Sequence, residues 1–245
     1  MIAGLTLPLL PESQDALASH ELRTPLTAVL GYADLIEKLL DNPDAAHQPN
    51  REELQRGAGQ IVREAEHMAF LIEEMLDLSS LDHDQLTLHL GTYDVRALLT
   101  HVVEAQQQTN PRHQLRLLLD ERTQAQGCLT SVDGTRLVQT FHNLLSNALK
   151  YSPQGGEIEI GLRQEGKPPT RICIWVADHG LGIAQEDLPH LFQRFYRSPK
   201  PDRAISGLGV GLYLVKQIIE RHGGHIWVES IEGKGATFFV SLPLV

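Results

Sequence analysis

The hydrophobic residues of the first forty positions recur at alternating intervals of four and three. They are Leu22, Leu26, Val29, Ala33, Ile36 and Leu40. This spacing places an apolar stripe along a helix and is typical of helices that pack on other helices. The same intervals return from Leu54 to Met75, after a polar stretch that contains Pro43 and Pro49. The pattern therefore predicts two helices joined as an antiparallel hairpin.

The apolar stripes of this hairpin are wider than one partner helix can cover. The extra apolar positions include Leu30, Leu39, Leu71 and Leu78. A lone hairpin would leave this surface in water, whereas two hairpins paired as a four-helix bundle would bury it. We therefore predict a homodimer built on residues 12–82. The alternative is that the hairpin packs only on the second domain of its own chain.

The periodicity changes from about residue 86. Short alternating runs typical of strands lie at 115–119, 157–162, 171–177, 225–229 and 236–242, and helical patterns lie at 94–108, 134–149 and 208–222. This mixture predicts an α+β fold whose C-terminal part is an α/β sandwich. We expect the boundary near residues 83–92, which gives domains at 12–82 and 86–245.

Composition excludes several classes of protein. The 245 residues carry 31 acidic and 21 basic side chains, a formal charge of −10, which argues against a nucleic-acid-binding or anionic-membrane-binding protein. Cys128 and Cys173 match no metal-ligand or disulfide pattern, and a reducing, cytoplasmic setting is expected. No apolar run approaches the roughly 18 residues of a transmembrane helix, so no membrane span is predicted.

The segment SHELRTPL at 19–26 carries the first candidate chemistry. The heptad places His20, Glu21 and Thr24 on the solvent side of the first helix. An exposed imidazole is largely neutral at cellular pH, so one ring nitrogen can act as a nucleophile while the other gives its proton to Glu21. Pro25 is expected to bend the helix. The alternative is an ordinary surface histidine, one of twelve in the chain.

The segment FHNLLSNALKYS at 141–152 carries a second set of polar residues. Asn143, Asn147 and Lys150 fall on one helix face, with Tyr151 next to them. An Asn carbonyl can complete a Mg²⁺ shell made of phosphate oxygens and water, and the lysine can neutralise phosphate charge. A merely polar helix face explains the spacing equally well.

Two glycine-rich segments follow. In DHGLGI, Asp178 ends a predicted strand and could accept a hydrogen bond from an adenine amine, with Gly180 and Gly182 allowing close backbone approach. In GLGVGL, three glycines directly precede an amphipathic helix, whose N-terminus suits a polyphosphate. Each string alone could be only a turn.

A basic segment precedes the second glycine-rich string. Residues 191–206 contain Arg194, Arg197, Lys200 and Arg203 against the single acid Asp202. Local positive charge in an acidic protein predicts a mobile lid over an anion.

In this order, the segments resemble the transmitter region of bacterial sensor histidine kinases, from about residue 12 to the end of the chain. SHELRTPL is similar to the phospho-acceptor box and FHNLLSNALKYS to the asparagine box. DHGLGI, the Phe192 and Phe195 pair, GLGVGL and GKGATF at 233–238 are similar to the remaining nucleotide-binding boxes. The resemblance implies a Bergerat-type ATP-binding sandwich joined to a dimeric four-helix bundle.

The resemblance also implies the reaction. His20 would receive the γ-phosphoryl group of ATP, with Glu21 as base, and would pass it to an aspartate of a response-regulator receiver domain. Thr24 would serve a reverse phosphatase activity. The competing functions are an ATP-binding scaffold or phosphatase-dominant partner with little autokinase activity, and a gyrase-like or serine-directed kinase; the last would not need SHELRTPL on a dimerising helix.

The nucleotide site is implied residue by residue. Asn147 would bind Mg²⁺, and Asp178 would bind the adenine amine with Thr237 on the adenine side. The other implied nucleotide contacts are Asn143, Lys150, Tyr151, Gly180, Gly182, Arg197, Gly207, Leu208, Gly209, Gly211 and Leu212.

The chain departs from the family at its N-terminal end. Only about eight residues of helical character precede His20, after Pro8 and Pro11. The signal input is therefore expected to be missing or supplied by a separate sensor protein, and the chain is either a truncated piece or a small stand-alone kinase.

Overall fold

The computed structural model describes residues 12–41, 51–83, 86–198 and 207–244, without the side chains of 12–18, His20, Asp41 and Gln126. The chain forms two compact units. The first comprises Met1–Leu86 with Ser206–Leu208, and the second comprises Thr87–Ile205 with Gly209–Val245. Within the described ranges, no helix combines the length and apolar character needed to cross a membrane.

The first unit contains the predicted helical hairpin. Helix α1 spans Glu12–Asp41 and runs through Pro25 without ending, and helix α2 spans Arg51–Asp82. The helices are antiparallel, because a β-carbon built on Gly57 near the start of α2 would lie 3.1 Å from Ile36 Cδ1 near the end of α1. The glycine therefore lets the Ile36 side chain pack directly against the backbone of α2 at this point.

The predicted seam of α1 divides between two faces. Leu22, Val29 and Ile36 are partly buried, whereas Leu26 and Leu40 are 44% and 62% exposed. Each helix of a pair covers only one side of the other. Helix α2 therefore covers one part of the predicted stripe of α1 and leaves the other part exposed.

The uncovered half continues on α2. We use the name outer stripe for a set of exposed apolar residues on both helices. They are Leu26, Leu30, Ala33 and Leu40 of α1 and Val62, Ala65, Ala69 and Leu76 of α2. Each set follows heptad-like spacing and lies one residue past the covered face of its helix. Because the helices are antiparallel, the same rotation places both sets on one side of the hairpin.

The second unit alternates strands and helices. In chain order they are β1 Gly91–Asp94, α3 Val95–Thr109, β2 His113–Leu119, α4 Glu121–Gln126, β3 Leu129–Val132, α5 Gly134–Lys150, β4 Gly156–Gly166, β5 Pro169–Asp178, a short 3-10 helix Leu188–His190, α6 Gly211–Arg221, β6 His225–Ile231 and β7 Gly235–Pro243. The predicted α+β class is confirmed: a helical N-terminal region precedes an α/β domain.

The main sheet of this unit has five strands in the order β2-β4-β5-β7-β6. Strands β2 and β4 are parallel and the other pairs are antiparallel, which makes the sheet mixed. One face carries Ile160, Ile174 and Val240 into a core shared with Phe141 of α5 and Ile219 of α6. Strands β1 and β3 form a separate antiparallel pair.

The structure adds elements that the sequence pattern missed and moves the predicted start of α6. The pattern missed β1, β3 and α4, which have four, four and six residues. Runs this short show no resolvable period. Helix α6 begins at Gly211 and not at 208, because Gly207 and Gly209 adopt positive φ values of 147° and 69°, which a right-handed helix excludes.

Candidate functional site

Asp178 lies at the end of β5 and is 6% exposed. Its Oδ1 accepts a hydrogen bond from the Gly180 N–H at 2.9 Å, and the Ala236 N–H of β7 also donates to the carboxyl group. Burial raises the pKa of Asp178 above its usual value, against the lowering effect of these two bonds. The result is a carboxylate held in a fixed position with little water around it.

The loop after Asp178 is held from two sides. The Leu181 N–H donates to Tyr151 O at the end of α5 (3.0 Å), and Leu181 O accepts from the Gly233 N–H in the β6–β7 turn (2.8 Å). The Ile183 N–H donates to Ser230 Oγ at 2.9 Å. These bonds join the ends of FHNLLSNALKYS, DHGLGI and GKGATF, three segments that lie far apart in the chain.

Glycines are required where these segments meet. A β-carbon on Gly180 would lie 2.1 Å from Tyr151 O, and one on Gly182, which has φ +62°, would lie 2.2 Å from Ile231 O. A β-carbon on Gly235 would lie 1.9 Å from Asp178 O. Gly235 and Ser230 were not predicted as site residues. The glycine spacing in GKGATF could have indicated Gly235, but the sequence gives no signal for Ser230.

Helix α5 presents the asparagines on one face. Its N-terminus is capped by Asp133, which accepts from the Arg136 N–H at 3.1 Å. Asn143 is buried and Asn147 partly buried, and Asn147 Nδ2 donates to Asn143 Oδ1 at 3.3 Å. This orientation turns the carbonyl oxygen of Asn147 to the other side of its amide. Lys150 and Tyr151 end the helix and are exposed.

Thr237 does not join this group. In β7 it pairs with Ala177, while Phe238 pairs with Val176. Because side chains alternate along a strand, Thr237 lies on the sheet face opposite to Asp178, and Ala236 lies on the same face as Asp178. The residue of GKGATF that contacts Asp178 is therefore Ala236, through its backbone.

The segment after the 3-10 helix packs on β7 and α6. The Phe192 ring meets the Phe238 ring edge-on, with centroids 6.5 Å apart. The Arg194 guanidinium lies 5.6 Å from the ring centroid of Tyr213 in α6. Arg197 is exposed. The predicted lid residues Lys200, Asp202 and Arg203 lie outside the described residues.

The glycine string GLGVGL is divided between the two units. Gly207 and Leu208 cluster with the first unit, and Gly209, Gly211 and Leu212 belong to the second. The N-cap residue of α6 is Val210, whose side chain cannot accept a hydrogen bond, so the first-turn N–H groups receive no cap from the N-cap side chain. An uncapped helix N-terminus of this kind is suited to bind an anion.

In the first unit, SHELRTPL forms two turns of α1. Thr24 is exposed, as expected, and the His20 side chain lies outside the described residues. The expectation that Glu21 faces solvent is wrong: Glu21 is 9% exposed, and its Oε2 accepts a hydrogen bond from the Gly207 N–H at 2.9 Å. The heptad assignment considered only the helices, so it could not include a residue distant in the chain.

Comparisons with known families agree with these two units. Residues 16–84 match the His Kinase A (phospho-acceptor) domain, and residues 132–245 match the histidine kinase-, DNA gyrase B- and HSP90-like ATPase family. The chain belongs to the sensor histidine kinase family. The resemblance predicted from the motifs is therefore confirmed at the level of the family.

Individual sensor histidine kinases show how far the likeness extends. The chain is 33% identical over 229 residues to the sensor histidine kinase WalK of Bacillus subtilis, covering 92% of this chain and 35% of WalK. It is 25% identical to the Acinetobacter baumannii histidine kinase AdeS, with a TM-score of 0.62 over 92% of this chain and 98% of that one.

A third comparison shows the shared fold. The histidine kinase ThkA, solved in complex with the response regulator protein TrrA, is 20% identical, with a TM-score of 0.61 over 96% of this chain and 62% of that one. The chain spans about a third of the length of WalK.

Proposed function

We propose that this chain is an ATP-dependent protein-histidine kinase that phosphorylates its own His20. Residues 12–82 would form the dimerisation and phosphotransfer domain, and residues 86–245 the ATP-binding catalytic domain. The observation that carries this proposal is the joining of three motif segments around Asp178. Their order along the chain and the helical SHELRTPL segment of the other unit support the same function.

The reaction needs one nucleophile and one base. A ring nitrogen of His20 attacks the γ-phosphorus of ATP, the bond from that phosphorus to the β–γ bridging oxygen breaks, and ADP leaves. The proton on the other ring nitrogen passes to the Glu21 carboxylate. A carboxylate has about four acceptor sites, so the bond from Gly207 does not exhaust Glu21. Catalysis of this kind is mostly positioning and charge stabilisation.

Different residues would contact the adenine and the phosphates of the nucleotide. Asp178 accepts a hydrogen bond from the adenine amine, and Gly180 and Gly182, which have no side chain, let the adenine ring lie against the backbone. Lys150, Arg197 and the N–H groups at the start of α6 take the phosphates. The remaining proposed contacts are Asn143, Tyr151, Gly207, Leu208, Gly209, Gly211 and Leu212. We do not include Thr237, because it lies on the other sheet face.

The chemistry of α5 fits a magnesium ion bound with the nucleotide. Mg²⁺ prefers oxygen ligands and is usually held by one or two protein groups together with phosphates and water. The carbonyl oxygen of Asn147 is oriented away from its bond to Asn143 and would be the protein ligand. The ion would neutralise phosphate charge, while Asn143 fixes the rotation of the Asn147 amide.

The outer stripe supports a homodimer. Leu30 and Leu40 are 61% and 62% exposed, and Val62 on the same side is 55% exposed. A second hairpin would cover all three in a four-helix bundle, and burying such side chains is the main stabilising term in association. The dimer therefore explains an apolar surface that the single chain leaves in water.

The phosphoryl group would pass from His20 to an aspartate of a response-regulator receiver domain. The ThkA–TrrA complex supports this partner, because that histidine kinase has the same fold. Thr24 is exposed one turn after His20, where its hydroxyl can orient a water molecule for a reverse phosphatase reaction. We place the reaction in the cytoplasm, with signal input from a separate sensor protein.

A labelling experiment tests the proposal. The purified chain is incubated with Mg²⁺ and γ-labelled ATP, and protein-bound label is tested for stability to acid and base. We expect an acid-labile, base-stable label that is lost in His20→Gln and kept in the control His101→Gln, an exposed histidine of α3. A chain that binds ATP without acquiring this label would instead be a scaffold or a phosphatase-dominant partner.

A further inference from the structure

Asp187 is a buried carboxylate that the proposed reaction does not use. It is 5% exposed and lies directly before the 3-10 helix. Its backbone is fixed in both directions, because its N–H donates to Ala184 O (3.0 Å) and its carbonyl accepts from the His190 N–H (2.9 Å). Asp187 is therefore a rigid anchor next to the nucleotide-binding segments.

Each oxygen of this carboxylate accepts a hydrogen bond from a hydroxyl group. Tyr196 donates its phenol to Oδ1 at 2.6 Å, and Ser198 donates its hydroxyl to Oδ2 at 2.6 Å. These are short, charge-assisted bonds, about twice as strong as neutral ones. The bond to the carboxylate raises the pKa of Tyr196 to about 12, so the phenol remains a donor at cellular pH.

The two bonds hold the residues on either side of Arg197. With Tyr196 and Ser198 fixed to one carboxylate, the backbone of the residue between them has little freedom. The preceding residue, Phe195, has φ +61°, a left-handed conformation that a non-glycine residue keeps only where its surroundings enforce it. The bonds to Asp187 begin at the next residue and supply part of that constraint.

The position held in this way lies against the start of α6. A β-carbon on Gly209 would lie 2.8 Å from Tyr196 O and 3.1 Å from Arg197 Cγ. The aliphatic part of the Arg197 side chain therefore lies against Gly209, which directly precedes the N-cap residue of α6. A guanidinium and a helix N-terminus next to each other favour the same ligand, a phosphate group.

We propose that Asp187 is a positioning residue for nucleotide binding, which acts by holding Tyr196 and Ser198 so that Arg197 meets the phosphates of ATP. This inference rests on the proposed function, because it takes Arg197 as a phosphate contact. Asp187 itself would touch no part of the nucleotide. Its effect should be confined to ligands that carry phosphates.

The test measures binding to the full chain, without any phosphoryl transfer. The affinities of a non-hydrolysable ATP analogue and of adenosine are compared in the parent, Asp187→Ala, Arg197→Ala and the double variant. The control is Glu186→Ala, which removes the neighbouring, exposed carboxylate. Thermal unfolding of each variant shows whether the fold is intact.

We expect Asp187→Ala to weaken analogue binding about tenfold, equal to about 1.4 kcal/mol, and to leave adenosine binding within about twofold. In the Arg197→Ala background the same change should have little further effect, because the group that it positions is absent. Glu186→Ala should bind both ligands like the parent. The conservative pair Tyr196→Phe with Ser198→Ala should reproduce the loss seen in Asp187→Ala.

Three results would overturn the inference: an equal loss of analogue and adenosine binding, a loss that persists undiminished without Arg197, or unchanged analogue binding in Asp187→Ala. Each can be told apart from a failure of the proposed function. Nucleotide binding is measured without phosphoryl transfer to His20, so a chain that binds as expected but does not phosphorylate itself contradicts only the kinase proposal.

Discussion

Leu30 offers a direct test of the outer stripe. It lies on α1 with 61% of its surface exposed, and Gly31 beside it faces open space. Leu30→Gln keeps the side-chain length and the helix propensity but removes the apolar surface. The matched control is Gly31→Gln, which adds the same side chain on the outermost face of the helix.

The expected effect follows from the exposed fraction. Full burial of a leucine side chain stabilises by about 1.5–3 kcal/mol, so burial of the 61% that is exposed in Leu30 contributes about 1–2 kcal/mol per protomer. Loss of this burial in both protomers removes about 2–4 kcal/mol of association free energy. The dimer Kd of Leu30→Gln should therefore be about 30- to 900-fold higher than that of the parent. Helix content should not fall, because the changed side chain is on the surface.

Sedimentation equilibrium over a range of concentrations measures the dimer Kd of each variant, and circular dichroism measures the helix content. We expect a dimeric parent, a weakened Leu30→Gln dimer and a Gly31→Gln dimer like the parent. A Leu30→Gln Kd equal to that of the parent, or a parent that is monomeric at every concentration, would refute the assignment of the outer stripe to dimerisation.

Three further predictions concern the second unit. Asp178→Asn replaces one carboxyl oxygen by an amide group and should weaken ATP binding about 10- to 100-fold in a calorimetric titration, since loss of a hydrogen-bond partner at a buried position costs about 1–3 kcal/mol. Gly180→Ala should lower the free energy of unfolding by about 1–3 kcal/mol, because its β-carbon would lie 2.1 Å from Tyr151 O, whereas Gly31→Ala should not destabilise. Asp133→Ala should lower the free energy of unfolding, measured by chemical denaturation, by about 1–2 kcal/mol, because it removes the N-cap of α5. Burial alone would raise the pKa of Asp133, but the bonds from the His89 and Arg136 N–H groups lower it below its usual value. Its contribution to stability should therefore be present above the unfolded pKa of about 3.9 and be lost as the pH falls through the lower folded pKa, a dependence that the variant should lack.

The sequence predicted the long elements because each has one buried face over many residues. Helix α5 buries Leu137, Phe141 and Leu144 on one side, and β5 alternates Ile172, Ile174 and Val176 into the core. Such repeats are visible without any knowledge of the partner surface. The predictions weakened where a partner matters, as with the seam of α1, because spacing alone does not say which half of an apolar stripe the neighbouring helix covers.

Site residues were predictable where a motif carries them and not where a tertiary contact does. Asp178 and Gly180 stand in one short string, and their mutual bond is local. The bonds from Tyr196 to Asp187 and from Ile183 to Ser230 join residues that no short motif links. For Thr237 the motif was visible, but its face of the sheet depends on the register of β7 against β5.

In the proposed reaction, the phosphoryl group from ATP is transferred to a single histidine. The most direct measurement is the location of that group by mass spectrometry, at alkaline pH, on the chain after reaction with ATP and Mg²⁺. The chain has twelve histidines, which makes the outcome specific. We predict a single phosphoryl group on a ring nitrogen of His20. A phosphoryl group on another histidine, or on a serine, threonine or tyrosine, would contradict transfer to His20.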